Sequence, residues 1–289
     1  MTERLPWEED RAWVLAQPCV RMQTVGHTLL GRPIERYSVG EGRRRLLYVG
    51  AHHGTEWLTA SMLFCFLREL IGDLGTGRVR HGVHVRTLLA HTTLDVLPLL
   101  NADGCALVLT DAPSGPLSVR QVRMSGGQGF LRWQANARGV DLNHNYDHGH
   151  RAYKQLEARQ GIEAGASLYS GEYPESEPEC AALASLVRAS APAAVLSLHL
   201  GEDGVYAAPR TSEIACRTAL RIGALSSTRP LTPKGTACYG GLCDYTGEVL
   251  SIPSFTLSVG QGENPPPKEA LGVLYERVAP VLLRLPTML

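Results

Sequence analysis

The chain has 289 residues, with 28 Lys and Arg balanced by 28 Asp and Glu, so its formal net charge is zero. No basic excess points to nucleic acid or an anionic membrane surface, and neither partner is expected. Apolar residues make up 44%, which allows a sizeable core and argues against disorder. Residues 1–37 predict an N-terminal helix and a first strand. Arg44–Gly50 ends apolar and is closed by Gly, which predicts a buried strand. Thr55–Leu70 is rich in helix formers, and Trp57, Met62, Leu63, Phe66 and Leu70 share one wide face, which predicts a helix against a sheet. His91–Leu100 predicts another strand, ended by Asn101-Ala-Asp103-Gly104.

Residues 105–137 and 148–178 read as irregular, the first around Pro113, Pro116 and a Gly-rich stretch, the second rich in charge and Gly. Long loops inside a compact domain are often functional. Glu177–Ala189 predicts a helix with Pro178 in its first turn, where Pro is tolerated. Ala193–Leu198 and Ser254–Val259 predict two strands, and Lys268–Leu283 a C-terminal helix kinked at Pro280. Strands alternate with helices and no Pro/Gly/Ser linker divides the chain. The expectation is one three-layer α/β/α domain over residues 1–289, with a mixed, mostly parallel central sheet.

His53 and Glu56 stand three residues apart where a predicted strand hands over to a helix. That spacing lets an imidazole and a carboxylate converge on one cation at the carboxyl end of a strand, where open α/β sheets collect ligands. Alone the pair is a weak signal that chance readily supplies. His199 follows Ala193–Leu198, again at a predicted strand end. Two His and one Glu, with a fourth position open, is the donor set of a catalytic zinc. The competing reading of His199 is a core histidine bonded to backbone. His52 competes with His53; in extended chain their rings point to opposite faces, so only one can bind.

Several segments then fall in a familiar order: Gly31-Arg-Pro-Ile34, His53-Gly-Thr-Glu56-Trp57, Asn101-Ala-Asp103-Gly104, Asn136-Ala-Arg-Gly-Val-Asp-Leu-Asn-His-Asn145, Ser176-Glu-Pro-Glu179, Ser197-Leu-His199, Phe255–Gly260 and Asn264-Pro265. From about Gly31 to the C-terminus the chain resembles the zinc carboxypeptidase family, and within it the bacterial branch that includes γ-D-glutamyl-diaminopimelate endopeptidases. The resemblance implies that His53, Glu56 and His199 hold one Zn(2+) per chain. It implies that Asp141 orients His53, as a carboxylate partner does for a metal-bound imidazole. It also implies that Asn143 binds the terminal carboxylate or amide of the substrate.

Some positions depart from the family pattern. His144 stands where the family has an arginine that clamps a carboxylate with a bidentate fork, a geometry histidine cannot reproduce. Gln134 falls where many relatives place a cation, leaving an amide donor without charge. Arg138 could reach substrate or stabilise its turn. The catalytic glutamate of the family falls on Ser258, and serine is no base at neutral pH without one of its own. Glu263, Glu202 or Asp203 could substitute for it. Tyr239-Gly-Gly-Leu-Cys-Asp-Tyr245 resembles a stretch lining the family's pocket, and the mobile tyrosine of the digestive enzymes falls on Thr236. Cys243 reads as a buried small residue.

The expected function is a zinc metallopeptidase acting on a small peptide or amino-acid conjugate, plausibly a γ-D-glutamyl-diaminopimelate muropeptide. The alternatives are a non-catalytic zinc-binding relative and a zinc amidase or deacylase of the same fold. Met1–Arg11 is polar and acidic, unlike a secretory leader, and no stretch approaches the roughly 18 apolar residues that span a bilayer. The seven cysteines form no Cys-x-x-Cys pair. A cytoplasmic location with reduced thiols is therefore expected, and the sequence leaves the oligomeric state open.

Overall fold

The computed structural model describes residues 5–208 and 212–289; residues 1–4 of the predicted N-terminal stretch lie outside them. Among the described residues one sheet has eight strands, the central ones built from apolar and β-branched runs: Val20–His27 (β1), Pro33–Val39 (β2), Arg44–Val49 (β3), Thr92–Leu97 (β4), Ala194–Leu200 (β5), Gly204–Ala207 (β6), Arg229–Pro230 (β7) and Ser254–Val259 (β8). Their order is β1-β2-β4-β3-β5-β8-β6-β7. The centre is parallel: β3 lies between β4 and β5, and β5 lies beside β8. Antiparallel pairs flank it, β1 with β2, β2 with β4, and β6 with β8.

Successive side chains of a strand face opposite sides, and this divides the core in two. Leu46, Tyr48, Leu196 and Leu198 pack on one face with the helices Glu8–Leu15 (α1), Trp57–Thr76 (α2), Glu213–Ser226 (α6) and Leu271–Arg284 (α7). Leu47, Val49 and Val195 pack on the other with Pro178–Ser190 (α5), Tyr146 and Leu242. The three-layer arrangement with a mixed sheet is the one predicted. The same alternation turns Ser197 and His199 toward the α5 side, in step with Val195.

Both segments read as irregular contain helices. Ala102–Thr110 (α3) begins at Asn101, whose side chain accepts from the Gly104 amide at 2.9 Å, the usual N-terminal cap. His150–Gln160 (α4) is bounded by Gly149 and Gly161, both at φ +66°. Its apolar content is low, and only His150, Tyr153 and Glu157 are buried, so the helical period was hidden in polar residues. Strand β6 and helix α6 were not predicted either. The last helix begins at Leu271 and runs through Pro280 to Arg284.

Candidate metal centre and adjoining cavity

The carboxyl ends of the parallel strands bring the donors together. Beyond β3 the chain turns at Ala51, whose φ is +52°. The Asn101 side-chain amide then reaches the carbonyls of His52 at 3.0 Å, Gln134 at 3.2 Å and Ala135 at 3.1 Å. That amide ties the ligand loop to two neighbouring segments. Gly54 donates to the Gln134 carbonyl at 2.9 Å. A Cβ at Gly54 would come within 2.5 Å of the Trp133 carbonyl oxygen, so only glycine lets the backbones approach this closely.

His53, Glu56 and His199 offer donor atoms that all lie within 4.8 Å of one another. His53 Nδ1 is 3.0 Å from one Glu56 oxygen, and His199 Nδ1 is 3.0 Å from the other. Neither contact is aligned as a hydrogen bond, for both His53 Nδ1 and Glu56 Oε2 are buried without a hydrogen-bond partner. Buried polar atoms left in this state call for an explanation, and a shared cation supplies one. Two imidazoles and a carboxylate also suit zinc chemically. Burial opposes charge on His53, yet Glu56 and Asp141 hold its imidazole well above the ordinary value. Burial likewise opposes the charged form of Glu56, while His53 and His199 hold the carboxyl well below its usual range.

Asp141 Oδ1 accepts from His53 Nε2 at 3.1 Å and from the Asn143 amide at 3.1 Å; Oδ2 accepts from the Leu168 amide at 3.0 Å. The bond to Asp141 engages Nε2 and leaves Nδ1 as the ring nitrogen that faces Glu56. His52 points elsewhere. Its ring bonds Ser197 and Tyr146, and it is not among the converging donors.

A cavity of about 620 Å³, walled by charged and apolar side chains alike, opens beside the cluster. Asn143, Glu202, Tyr206, Arg229, Lys234 and Asp244 are among its walls. None of the three donors lines it; the connection is through chain neighbours, Asn143 two residues from Asp141 and Glu202 three from His199. The Tyr206 hydroxyl donates to Asp244. Burial raises the Asp244 carboxyl above its usual value against the opposing effects of Tyr206 and His148. Tyr206, Arg229 and Lys234 were missed in the sequence, because they belong to no motif and come from strands and loops folded in from elsewhere.

The other sequence-derived candidates are distributed unevenly. Asn143 Oδ1 accepts from the Leu242 amide at 3.2 Å and faces the cavity. His144 is buried, stacked on Tyr153 with ring centres 4.6 Å apart, and its Nδ1 meets the Tyr239 carbonyl at 2.8 Å. It forms part of the wall's support and does not line the cavity. Arg138 donates to Glu177 at 3.0 Å, the structural alternative. Gln134 contributes its backbone carbonyl to the Gly54 and Asn101 contacts.

Ser258 sits on β8 directly beside His199, and its Oγ accepts from the Glu202 amide at 3.2 Å. Asp203 is held by the Gly260 amide at 2.7 Å and Arg277 at 2.9 Å. Glu263 lines a separate hollow with Gly260 and Arg277. Of the three carboxylates named as substitutes, only Glu202 faces the cavity that adjoins the donors. Thr236 and Tyr239 are half-buried, Tyr245 bonds Arg188, and burial pushes the Cys243 thiol up, away from nucleophilic use.

Fold, donor cluster and chain order agree with a comparison of sequences: a model of the zinc carboxypeptidase family matches residues 15–271, and the chain belongs to that family. It is accordingly a hydrolase of the zinc-metallopeptidase class. It is 29% identical to γ-D-glutamyl-L-diamino acid endopeptidase 1 of Lysinibacillus sphaericus over 276 residues, 93% of this chain and 67% of that one. It is 31% identical to murein peptide amidase A of Escherichia coli K12 over 180 residues, 60% of this chain and 57% of that one. The fold superimposes on bovine thrombin-activatable fibrinolysis inhibitor, solved with tick carboxypeptidase inhibitor, with a TM-score of 0.70 at 17% identity, covering 96% and 95% of the two chains.

Proposed function

We propose that this protein binds one zinc ion per chain through His53, Glu56 and His199, and hydrolyses an amide bond in a small peptide with a charged, unusual end group. A γ-D-glutamyl-diaminopimelate peptide is the substrate class we favour. The observation that carries the reading is the converging donor set beside a cavity with two cations and two carboxylates on its walls. Such walls suit a zwitterionic end group: Arg229 and Lys234 can meet a carboxylate, and Asp244 an ammonium. The similarity to enzymes named for γ-D-glutamyl-diamino acid and murein peptides supports the same class.

Zinc, when bound, supplies Lewis-acid polarisation of a carbonyl and lowers the pKa of water. The chain's own residues do the rest. Asp141 engages His53 at Nε2, and Asn143 orients the end group. In this reading Glu202 takes the proton of the attacking water and passes it to the leaving nitrogen. That assignment replaces the glutamate that the family places at Ser258. We also favour a cytoplasmic location, in keeping with seven free thiols.

Zinc-loaded protein incubated with γ-D-glutamyl-diaminopimelyl peptides should release product, and a chelator should stop the release. A second reading, a zinc-binding protein without turnover, is favoured by one observation: no carboxylate occupies the Ser258 position. It predicts binding of the same peptides with no product, even at high protein concentration. That outcome would rule out the peptidase reading.

A further inference from the structure

Helix α4 buries a polar stripe. His150, Tyr153, Lys154 and Glu157 recur at the spacing that puts side chains on one helical face, and His150, Tyr153 and Glu157 are buried. All four meet a short strip, residues 168–171. The Tyr153 hydroxyl donates to the Leu168 carbonyl at 2.6 Å, Lys154 donates to the Gly171 carbonyl at 2.6 Å, and Glu157 accepts from the Ser170 amide at 2.6 Å. His150 Nε2 lies 3.4 Å from the Ser170 hydroxyl. Lys154 also pairs with Glu157 at 2.6 Å and lies over the Tyr169 ring.

The same strip holds Asp141 and Asn145. The Asp141 amide donates to the Tyr169 carbonyl at 2.7 Å, and the Leu168 amide donates to Asp141 Oδ2 at 3.0 Å. The Asn145 side chain donates to the Ser170 carbonyl at 2.7 Å. With its backbone amide and Oδ2 so engaged, Asp141 presents Oδ1 to His53 Nε2. The strip belongs to no helix or strand, so partners outside it must satisfy its backbone groups and give it order. Leu168 has φ +70°, a left-handed conformation that is costly for any residue with a Cβ and persists only where neighbours impose it. Tyr153 at its carbonyl and Asp141 at its amide are those neighbours.

We propose that the polar face of α4 is a clamp that fixes residues 168–171 and, through them, the Asp141 carboxylate that orients His53. Tyr153 is then a positioning residue, acting on Asp141 across Leu168. The stripe is polar because it binds backbone, and for that reason α4 carries no apolar period. The proposal rests on the zinc reading of the donor set and on no particular substrate. Tyr153→Phe keeps the ring that stacks on His144 and removes only the hydroxyl. Competition with a chromophoric chelator should show its zinc affinity lowered about 10-fold, the small end of the range for loss of a partner behind a metal ligand. Asp141→Asn should lose about 10- to 100-fold. Adding Tyr153→Phe to it should cost little more, because both changes act through one carboxylate. Tyr275→Phe, which removes a hydroxyl bond between α7 and Glu69 of α2, should bind zinc as wild type does. Hydrogen exchange of the metal-free protein is the second readout. The Leu168 and Ser170 amides should exchange as slowly in wild type as those of β3 and β5, and the Leu168 amide faster in Tyr153→Phe. Undiminished zinc affinity in a folded Tyr153→Phe protein would overturn the proposal, as would full additivity of the two losses. Rapid exchange of the wild-type Leu168 amide would overturn it even if no variant folds. A wild type that binds no zinc at all sinks the zinc reading separately, while the exchange rates still decide the clamp.

Discussion

Ser258 is the residue at which family pattern and local structure part. It lies level with His199 on the neighbouring strand, yet its hydroxyl is engaged as an acceptor for the Glu202 amide. The bond fixes the backbone from which the Glu202 side chain reaches into the cavity. If Glu202 carries the proton, Glu202→Gln should lower kcat by a factor of about 100 to 10,000, the range for loss of general acid–base catalysis. Zinc content should not change, and Glu263→Gln, altered in a separate hollow, should behave as wild type. Adding Ser258→Glu to Glu202→Gln should return part of the lost rate. Steady-state kinetics beside metal analysis separates these outcomes. An unaltered kcat in Glu202→Gln would remove Glu202 from the reaction.

At the scale of elements, α5 shows how the segments behind the site are fastened. Its Glu179 accepts from the Leu29 amide at 3.1 Å and from Asn136 at 3.3 Å. Burial, with Asp103 and Glu177 nearby, pushes its carboxyl up to about 7, against opposing backbone bonds. The folded state then keeps this proton to higher pH than the unfolded state, where the value is 4.5. The contribution is fully present below pH 4.5 and is lost as pH rises to 7, by at most about 3 kcal/mol. Denaturant unfolding of wild type and Glu179→Gln across that window checks it: the variant should lack this part of the decline. Parallel pH profiles would mean that Glu179 ionises like an exposed carboxyl.

Elements were legible where burial imposes a period. Strands β3, β5 and β8 and helix α2 announce themselves by continuous or one-sided apolar runs. Helix α4 does not, because its buried positions are His150, Tyr153 and Glu157. Strand β6 is four residues long and takes its place from pairing with β8, information that lies outside its own sequence. The donors His53, Glu56 and His199 were readable from the ordered segments that resemble the zinc carboxypeptidase family, since their spacing at strand ends is by itself a weak signal. The walls formed by Tyr206, Arg229 and Lys234 were not, since long-range folding alone brings them beside Asn143. Nor was the inward turn of His144, which depends on stacking with Tyr153 from the helix that sequence left unassigned.

Across the whole molecule, parallel pairing at the centre of the sheet puts the ends of β3, β5 and β8 at one edge. Residues from distant parts of the chain thereby meet in one buried cluster, held from behind by Asn101 and Asp141. Among the described residues no helix is long and apolar enough to cross a membrane. The central claim is that this cluster is a zinc site, and metal analysis of purified, zinc-equilibrated protein tests it most directly. The account predicts about one zinc per wild-type chain and almost none in a folded His199→Ala variant, since removal of one of three protein ligands leaves the site incomplete. A wild type without zinc, or a His199→Ala protein that retains a full equivalent, would contradict it.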